Sequence, residues 1–210
     1  MKQFDAILFD FDGVLADSEP IHYEVWCEIL GPYGLKMDWD HYVRHCIGIS
    51  DRLMIQRLCE TANPPLNFEE LYAQYPRKKE RFSERMLQTL PFHPATLELL
   101  HQLELPMAVV SSSGRNEVEP PLIHAGIRDR FQTLVCGLEA GKLKPEPEPY
   151  LRGAELLKAR NPLVVEDSDA GEASGLAAGF TVLRVASAAE VAPRLRATLN
   201  AAGHPPVSSR

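Results

Sequence analysis

Ala6-Ile7-Leu8-Phe9-Asp10-Phe11-Asp12-Gly13 is the segment on which the fold turns. Four apolar residues in succession suit a short strand buried on both faces of a parallel sheet, and this one runs straight into two carboxylates. Asp10 and Asp12 stand two apart, so at a strand end their side chains leave on one side while Phe11 turns into the core. Gly13 lets the backbone turn sharply with positive φ. Further along, residues 91 to 200 alternate apolar runs with helical patterns. Strands are expected at Met107–Val110, Thr133–Cys136, Leu163–Val165 and Thr181–Val185. Helices are expected at Ala95–Leu103, Glu117–Ala125, Tyr150–Lys158, Ala170–Ala178 and Ala189–Ala201. Pro120-Pro121 counts against the second of these helices. The alternation predicts right-handed βαβ units and an open, Rossmann-like parallel sheet, with the tail Gly203–Arg210 fraying.

Between these parts, residues 18 to 90 change character: aromatics and helix formers dominate and no β-branched run occurs. Ile21, Val25, Ile29 and Leu30 recur at helical spacing, as do Leu53, Ile55 and Leu58; Pro64-Pro65 breaks the pattern, and a charged helix follows through Arg77-Lys78-Lys79-Glu80-Arg81. The expected organisation is an α/β core of residues 1–17 and 90–210 with an all-helical insertion of residues 18–89.

Composition removes several classes. In 210 residues, 45% are hydrophobic and 24% charged, which fits a globular chain rather than a disordered or disulfide-built one. The 22 basic against 29 acidic residues give a net charge of −7, the wrong sign for a nucleic-acid binder, so positive charge for an anionic ligand must be local. No stretch approaches the ~18 uninterrupted apolar residues of a membrane span, and no signal peptide fits the first residues. Cys27, Cys46, Cys59 and Cys136 form no C-x-x-C pair and match no common zinc spacing, so reduced thiols and a cytoplasmic location are expected. Nothing demands a dimer; a monomer or weak dimer is expected.

In an open α/β sheet, ligands bind beyond the carboxyl ends of the strands. Those ends carry Asp10 and Asp12, Ser111-Ser112-Ser113-Gly114, and Glu166-Asp167-Ser168, while Gly141-Lys142-Leu143-Lys144-Pro145 follows the Thr133–Cys136 strand. Carboxylates that meet at one point repel unless a cation joins them, and oxygen ligands without nitrogen or sulfur select a hard ion, Mg²⁺ by default. A lysine and hydroxyls beside that ion make an anion pocket, with phosphate the obvious occupant. One carboxylate can then attack phosphorus while its neighbour handles the proton.

These residues also carry a resemblance. Asp10-Phe11-Asp12-Gly13-Val14-Leu15-Ala16-Asp17-Ser18 resembles the first motif of the haloacid dehalogenase superfamily, Ser111 fits the second, Lys144-Pro145-Glu146-Pro147-Glu148 resembles the lysine motif, and Glu166-Asp167-Ser168-Asp169-Ala170-Gly171 resembles the acidic fourth. Asp17-Ser18-Glu19-Pro20 with His22 and Trp26 looks most like the branch of β-phosphoglucomutase, phosphoglycolate phosphatase and sugar-phosphate phosphatases. The resemblance implies that Asp10 is the nucleophile and Asp12 the acid and base. It implies Mg²⁺ on Asp10, the Asp12 carbonyl and Asp167, with Glu166 a further ligand or one acting through water. Ser111 and amides near Asp12 and Ser112 would hold phosphate, and Lys144 would bridge phosphate and Asp10. Asp12 favours phosphoryl transfer over dehalogenation, because halide leaves without a proton. The inserted helices would be a cap, with His22, Trp26, Arg52 and Lys79 as candidate substrate contacts. Asp17 is read as a structural hydrogen-bonder, and Asp169 as a helix cap or a brace for Lys144.

The expected activity is Mg²⁺-dependent hydrolysis of a small phosphorylated metabolite, a sugar phosphate or phosphoglycolate. A phosphosugar mutase is the alternative. It is weakened by Asp51 in Gly48-Ile49-Ser50-Asp51-Arg52, where a mutase-like arginine would follow the serine, although Arg52 stands one position on. A non-catalytic receiver-like module is disfavoured by Asp12 and the insertion. His41 and His45 have the spacing of zinc ligands without the glutamate or third ligand a zinc site needs. Gly137 to Lys142 falls one residue short of a P-loop.

Overall fold

The structure, a computed structural model, describes residues 3–47 and 49–205. Gly48 of the loop before Ser50, and residues 206–210 of the expected frayed tail, lie outside the described residues. The chain divides into two compact units, Met1–Asp17 with Leu90–Arg210, and Ser18–Thr89.

The first unit is built on a five-stranded parallel sheet: β1 (Ile7–Phe9), β2 (Met107–Ser111), β3 (Thr133–Cys136), β4 (Leu163–Glu166) and β5 (Thr181–Arg184), in the order β3-β2-β1-β4-β5. The chain steps from β1 to one edge and then returns to the other side, so the order reverses between β1 and β4, the crevice where α/β sheets take ligands. Every residue of β1, β2 and β4 is buried, which is why each reads as an apolar run, closed in β2 by Ser111 and in β4 by Glu166. Register puts Leu8 beside Ala108 and Val164, and these pack with Val110, Val135, Tyr150 and Ala154. Phe9, one residue on, points to the opposite face and meets Phe131 edge-on, with ring centroids 6.1 Å apart.

Helices α6 (Pro94–Gln102), α7 (Arg115–His124), α8 (Glu148–Leu157), α9 (Asp169–Ala177) and α10 (Ala188–Ala201) complete this unit. Helix α7 runs through Pro120 and Pro121 and begins two residues before its expected start, because the burial of Val118, Pro121 and Leu122 holds the turns that the missing N–H groups weaken. The tail is also tied further than expected. Phe4 N–H donates to His204 Nε2 at 3.0 Å, the two rings stack, and His204 N–H returns to the Leu199 carbonyl.

The second unit consists, among the described residues, of helices and their connections: α1 (Glu19–Leu30), α2 (Trp39–His45), α3 (Asp51–Thr61), α4 (Phe68–Tyr72) and α5 (Tyr75–Thr89). Ile21, Val25, Ile29 and Leu30 are the buried stripe of α1, together with Trp26. In α3 the buried face is Met54, Ile55 and Cys59; Leu53 is 37% exposed, a correction to the expected Leu53, Ile55, Leu58 stripe. The charged α5 buries Lys78, Phe82 and Met86, spaced four apart on one face. Among the described residues no helix is long and apolar enough to cross a membrane.

Candidate active site

The site forms where β1 and β4 end. Asp10 N–H donates to the Val165 carbonyl, so Asp10 and Glu166 emerge side by side on the face that also holds Tyr150. The chain then turns back at once: Gly13 N–H reaches the Ala16 carbonyl at 2.8 Å, and Phe11 is buried against Phe92. Gly13 has φ +76°, and a Cβ on it would stand 1.9 Å from Asp167 Oδ2. Glycine is needed there both for the turn and because the Asp167 carboxylate lies against its Cα.

Lys144, its side chain almost wholly enclosed, donates to Asp10 Oδ1 at 2.7 Å and Glu166 Oε1 at 2.5 Å, with its ammonium 5.0 Å from the centre of the Tyr150 ring. Tyr150 donates its hydroxyl to the same Glu166 oxygen at 2.7 Å. Glu166 Oε2 accepts from Asp167 N–H, Ser168 N–H and the Ser168 hydroxyl. Both Glu166 oxygens are therefore engaged, five hydrogen bonds in all against about four lone-pair sites. Gly171 makes room for this carboxylate; a Cβ there would overlap Glu166 Oε1 at 1.7 Å.

Burial raises the Asp10 pKa well above the ordinary range; Lys144 opposes the rise, and the charges of Glu166 and Asp12 add to it. Burial, then the neighbouring Glu166, pushes Asp167 up to about 7. For Glu166 burial acts upward too, but Lys144, the Tyr150 hydroxyl and the Ser168 amide outweigh it and hold the carboxyl below its ordinary value. Burial disfavours the Lys144 ammonium, and the charges of Asp10 and Glu166 more than offset this.

Lys144 thus faces the carboxylates of Asp10, Glu166 and Asp167, with Asp12 adding further negative charge and Arg184 opposing it more weakly at Asp167. Asp10, Glu166 and Asp167 offer oxygens that all lie within 4.8 Å of one another, and among the described residues no other group of three or more metal-capable side chains occurs. Oxygen donors alone, with negative charge in excess, fit a hard divalent cation.

Of the sequence candidates, Ser111 is buried at the end of β2 and its Oγ accepts from Ser113 N–H at 3.0 Å, whereas Ser112 is exposed. Asp17 is held through its backbone, donating to the Pro91 carbonyl. Asp169 neither braces Lys144 nor caps α9: it is fully exposed and pairs with Arg184, and Ser168 provides the cap by accepting from Gly171 N–H. Two partners escaped the sequence reading, Tyr150 on Glu166 and Ser113, whose hydroxyl donates to Asp12 Oδ2 at 2.7 Å.

Within the helical unit, Trp26 is 1% exposed and donates its indole N–H to Asp51 Oδ1 at 3.1 Å. His22 stacks on Phe82 at 3.9 Å between centroids. Lys78, part of the charged run of residues 77–81, is 2% exposed and donates to Asp51 Oδ2 at 3.0 Å and His22 Nδ1 at 2.9 Å. The spacing of Lys78 with Phe82 and Met86 was the signal for its burial. Lys79, the lysine named as a candidate, is half-buried, its ammonium 5.7 Å from the Tyr75 ring centre. Arg52 lies over Phe68 and Tyr72, at 4.8 and 5.1 Å. His41 and His45 are exposed, their ring centres 4.8 Å apart.

Comparison with known proteins agrees with this geometry. The model of the haloacid dehalogenase-like hydrolase family matches residues 7–185. The chain is 27% identical over 187 residues to a fructose-1-phosphate phosphatase of Escherichia coli, covering 88% of this chain and 97% of that protein. It is 27% identical over 178 residues to a phosphorylated carbohydrates phosphatase of Thermotoga maritima, covering 84% and 82%. The crystal structure of a hydrolase from Deinococcus radiodurans, with bound phosphate and sodium, shares 28% identity and a TM-score of 0.75 over 97% of this chain and 98% of that one. With Asp10 and Asp12 just past its first strand, a lysine joined to the first of them and relatives that cleave phosphate esters, the chain belongs to the haloacid dehalogenase-like hydrolases and is a phosphoric monoester hydrolase.

Proposed function

We propose that the protein is a Mg²⁺-dependent phosphatase of small phosphorylated metabolites, sugar phosphates above all, working through an aspartyl-phosphate on Asp10. The observation that carries this reading is the Asp10 carboxylate joined to Lys144 at 2.7 Å, in a site with more negative charge than one lysine balances. The sugar-phosphate names of the two relatives support the substrate class. Asp10, Asp167 and the Asp12 main-chain carbonyl would hold Mg²⁺, which would supply neutralisation of the phosphate oxygens.

The chain's own residues do the rest. The Asp10 carboxylate attacks phosphorus, and the ester P–O bond breaks as Asp12 gives its proton to the departing oxygen. Asp12 then takes a proton from water, whose oxygen attacks the aspartyl-phosphate and releases orthophosphate and free Asp10. Ser111 and the amide of Ser112 hold phosphate oxygens, and Lys144 limits repulsion between phosphate and Asp10. The saturated hydrogen bonding of Glu166 supports a role in fixing Lys144, with any metal contact passing through water. Residues 1–17 and 90–210 act as the catalytic domain and residues 18–89 as the cap that excludes bulk water. Four free thiols support a reducing, cytoplasmic setting.

The test is a panel of small phosphate esters with Mg²⁺, and Asp10→Asn as the blank. Orthophosphate release from sugar phosphates that is lost in the variant and with chelator is expected; no release from any ester overturns the reading. Hexose-phosphate isomer exchange primed by a bisphosphate, without net hydrolysis, identifies the mutase instead. Arg52, the candidate for a second phosphate, has its guanidinium stacked on Phe68 and Tyr72.

A further inference from the structure

We infer that Ser113 is the positioning residue of the general acid: it sets the Asp12 carboxyl in the orientation from which the proton reaches the departing ester oxygen. The inference rests on the acid role of Asp12 proposed above and adds a residue to it.

Asp12 sits past the end of β1, in a turn, where the strand no longer fixes its side chain. A partner from another element can fix the plane of that carboxyl. Ser113 supplies one, across 101 residues of sequence, with a hydroxyl that donates to Asp12 Oδ2 at 2.7 Å. Ser113 is itself held from several sides. Its N–H donates to Ser111 Oγ at 3.0 Å, and the next amide, Gly114 N–H, donates to Glu117 Oε2 at 3.1 Å as α7 begins. Arg115 then ties this loop to the turn after β3. Its Nε and Nη2 donate to the two Glu139 oxygens, both at 2.8 Å, and Nη2 also donates to the Leu134 carbonyl at 3.0 Å. Glu139 Oε2 in turn accepts from Cys136 N–H at 3.2 Å. The Ser113 hydroxyl is thus mounted on two strand ends and a helix start, a rigid base from which to orient a carboxyl, and proton transfer is sensitive to such placement.

The arrangement makes a chemical prediction that a merely structural serine does not. The acid matters only where the departing oxygen is basic. An alkyl phosphate such as a hexose phosphate needs the proton; p-nitrophenyl phosphate, whose phenolate leaves unaided, needs it much less. The quantity to read is kcat/KM, which reports steps through cleavage of the ester bond and not the later hydrolysis of the aspartyl-phosphate. In Ser113→Ala, the ratio of kcat/KM for a hexose phosphate to that for p-nitrophenyl phosphate should fall about tenfold, the size expected for losing one hydrogen bond to a carboxyl. Ser113→Thr, which keeps the hydroxyl, should restore the ratio. Ser113→Cys, close in size and a weak donor, should behave as the alanine variant and serves as the second probe if that variant does not fold.

Asp12→Asn, measured alongside, separates the two readings. If the ratio collapses in Asp12→Asn but stays at the wild-type value in the Ser113 variants, Ser113 has no such role and the acid assignment stands. Equal loss on both esters in Ser113→Ala makes Ser113 a structural residue and overturns the inference. If Asp12→Asn leaves the ratio unchanged, the acid assignment falls and the role of Ser113 falls with it.

Discussion

Lys144 shows how much can hang on one side chain. Its ammonium is bonded to Asp10 and Glu166, and Glu166 is wholly buried. Lys144→Met leaves a buried carboxylate without its counter-charge, a change that costs about 3–5 kcal/mol in comparable buried pairs. A drop of that size in urea-unfolding free energy, together with loss of ester hydrolysis, is expected; an unchanged unfolding midpoint contradicts the arrangement. Gly13→Ala acts through space rather than charge. The new methyl would overlap Asp167 Oδ2 at 1.9 Å, at a residue whose φ of +76° disfavours any side chain. About 1–3 kcal/mol of stability should be lost, and the Mg²⁺ concentration for half-maximal activity should rise, because Asp167 must move. Asp10, Lys144, Glu166 and Asp167 could be picked out in the sequence because acids, hydroxyls and a lysine follow apolar strands in order. Tyr150 could not, since its hydroxyl meets Glu166 only after α8 packs on the sheet.

Helix α5 was read from its charges, and its stripe says otherwise. Lys78, Phe82 and Met86 follow one another at four-residue intervals, so Lys78 is carried inward with the apolar residues and takes Asp51 and His22 as partners. Asp51, at the start of α3, is part-exposed, so the pair is worth less than a fully enclosed one. Lys78→Met should lower stability by on the order of 2 kcal/mol. A double-mutant cycle with Asp51→Asn should return a coupling of about 1 kcal/mol or more, read from denaturant midpoints; additivity would refute the pair. Helix α7 teaches the complementary lesson. Two prolines argue against a helix locally, yet burial of Val118, Pro121 and Leu122 keeps it, because packing energy exceeds the loss of two N–H donors. In α3 the period was legible and its phase was not, since Leu53 and Met54 are equally apolar and only the neighbouring helices select which turns inward.

Charge links the site to the stability of the folded chain. Asp167 titrates near 7 and Asp10 also lies well above its ordinary value, both through burial first, so the native state holds protons that the unfolded chain has released. Where the folded form binds more protons, stability falls as pH rises. Without divalent cations, stability should therefore decline from about pH 4 to pH 7, the window between the unfolded and folded values of Asp167. A cation replaces those protons. At a hundred times its dissociation constant, Mg²⁺ adds about 2.7 kcal/mol, or roughly 5–10 °C in Tm for a chain of this length. Thermal unfolding with Mg²⁺ or chelator at pH 5 and pH 8 checks this: the Mg²⁺ shift should be larger at pH 8, where no proton competes. Equal shifts at both values would remove the carboxylates from the binding equilibrium.

Periodicity and the order of motifs along the chain were enough for the open parallel sheet, the helical segment within it and the strand ends that carry the acids. These are local features: strand burial shows as an apolar run, helix burial as a repeat, and a strand end as the residue after the run. The partners of those acids were beyond such reading. Ser113 on Asp12, Tyr150 on Glu166, and Lys78 between Asp51 and His22 join residues 16 to 101 positions apart. Which buried polar groups meet is fixed by how whole elements pack, because nearly all buried donors and acceptors take a partner at the distance that packing leaves them.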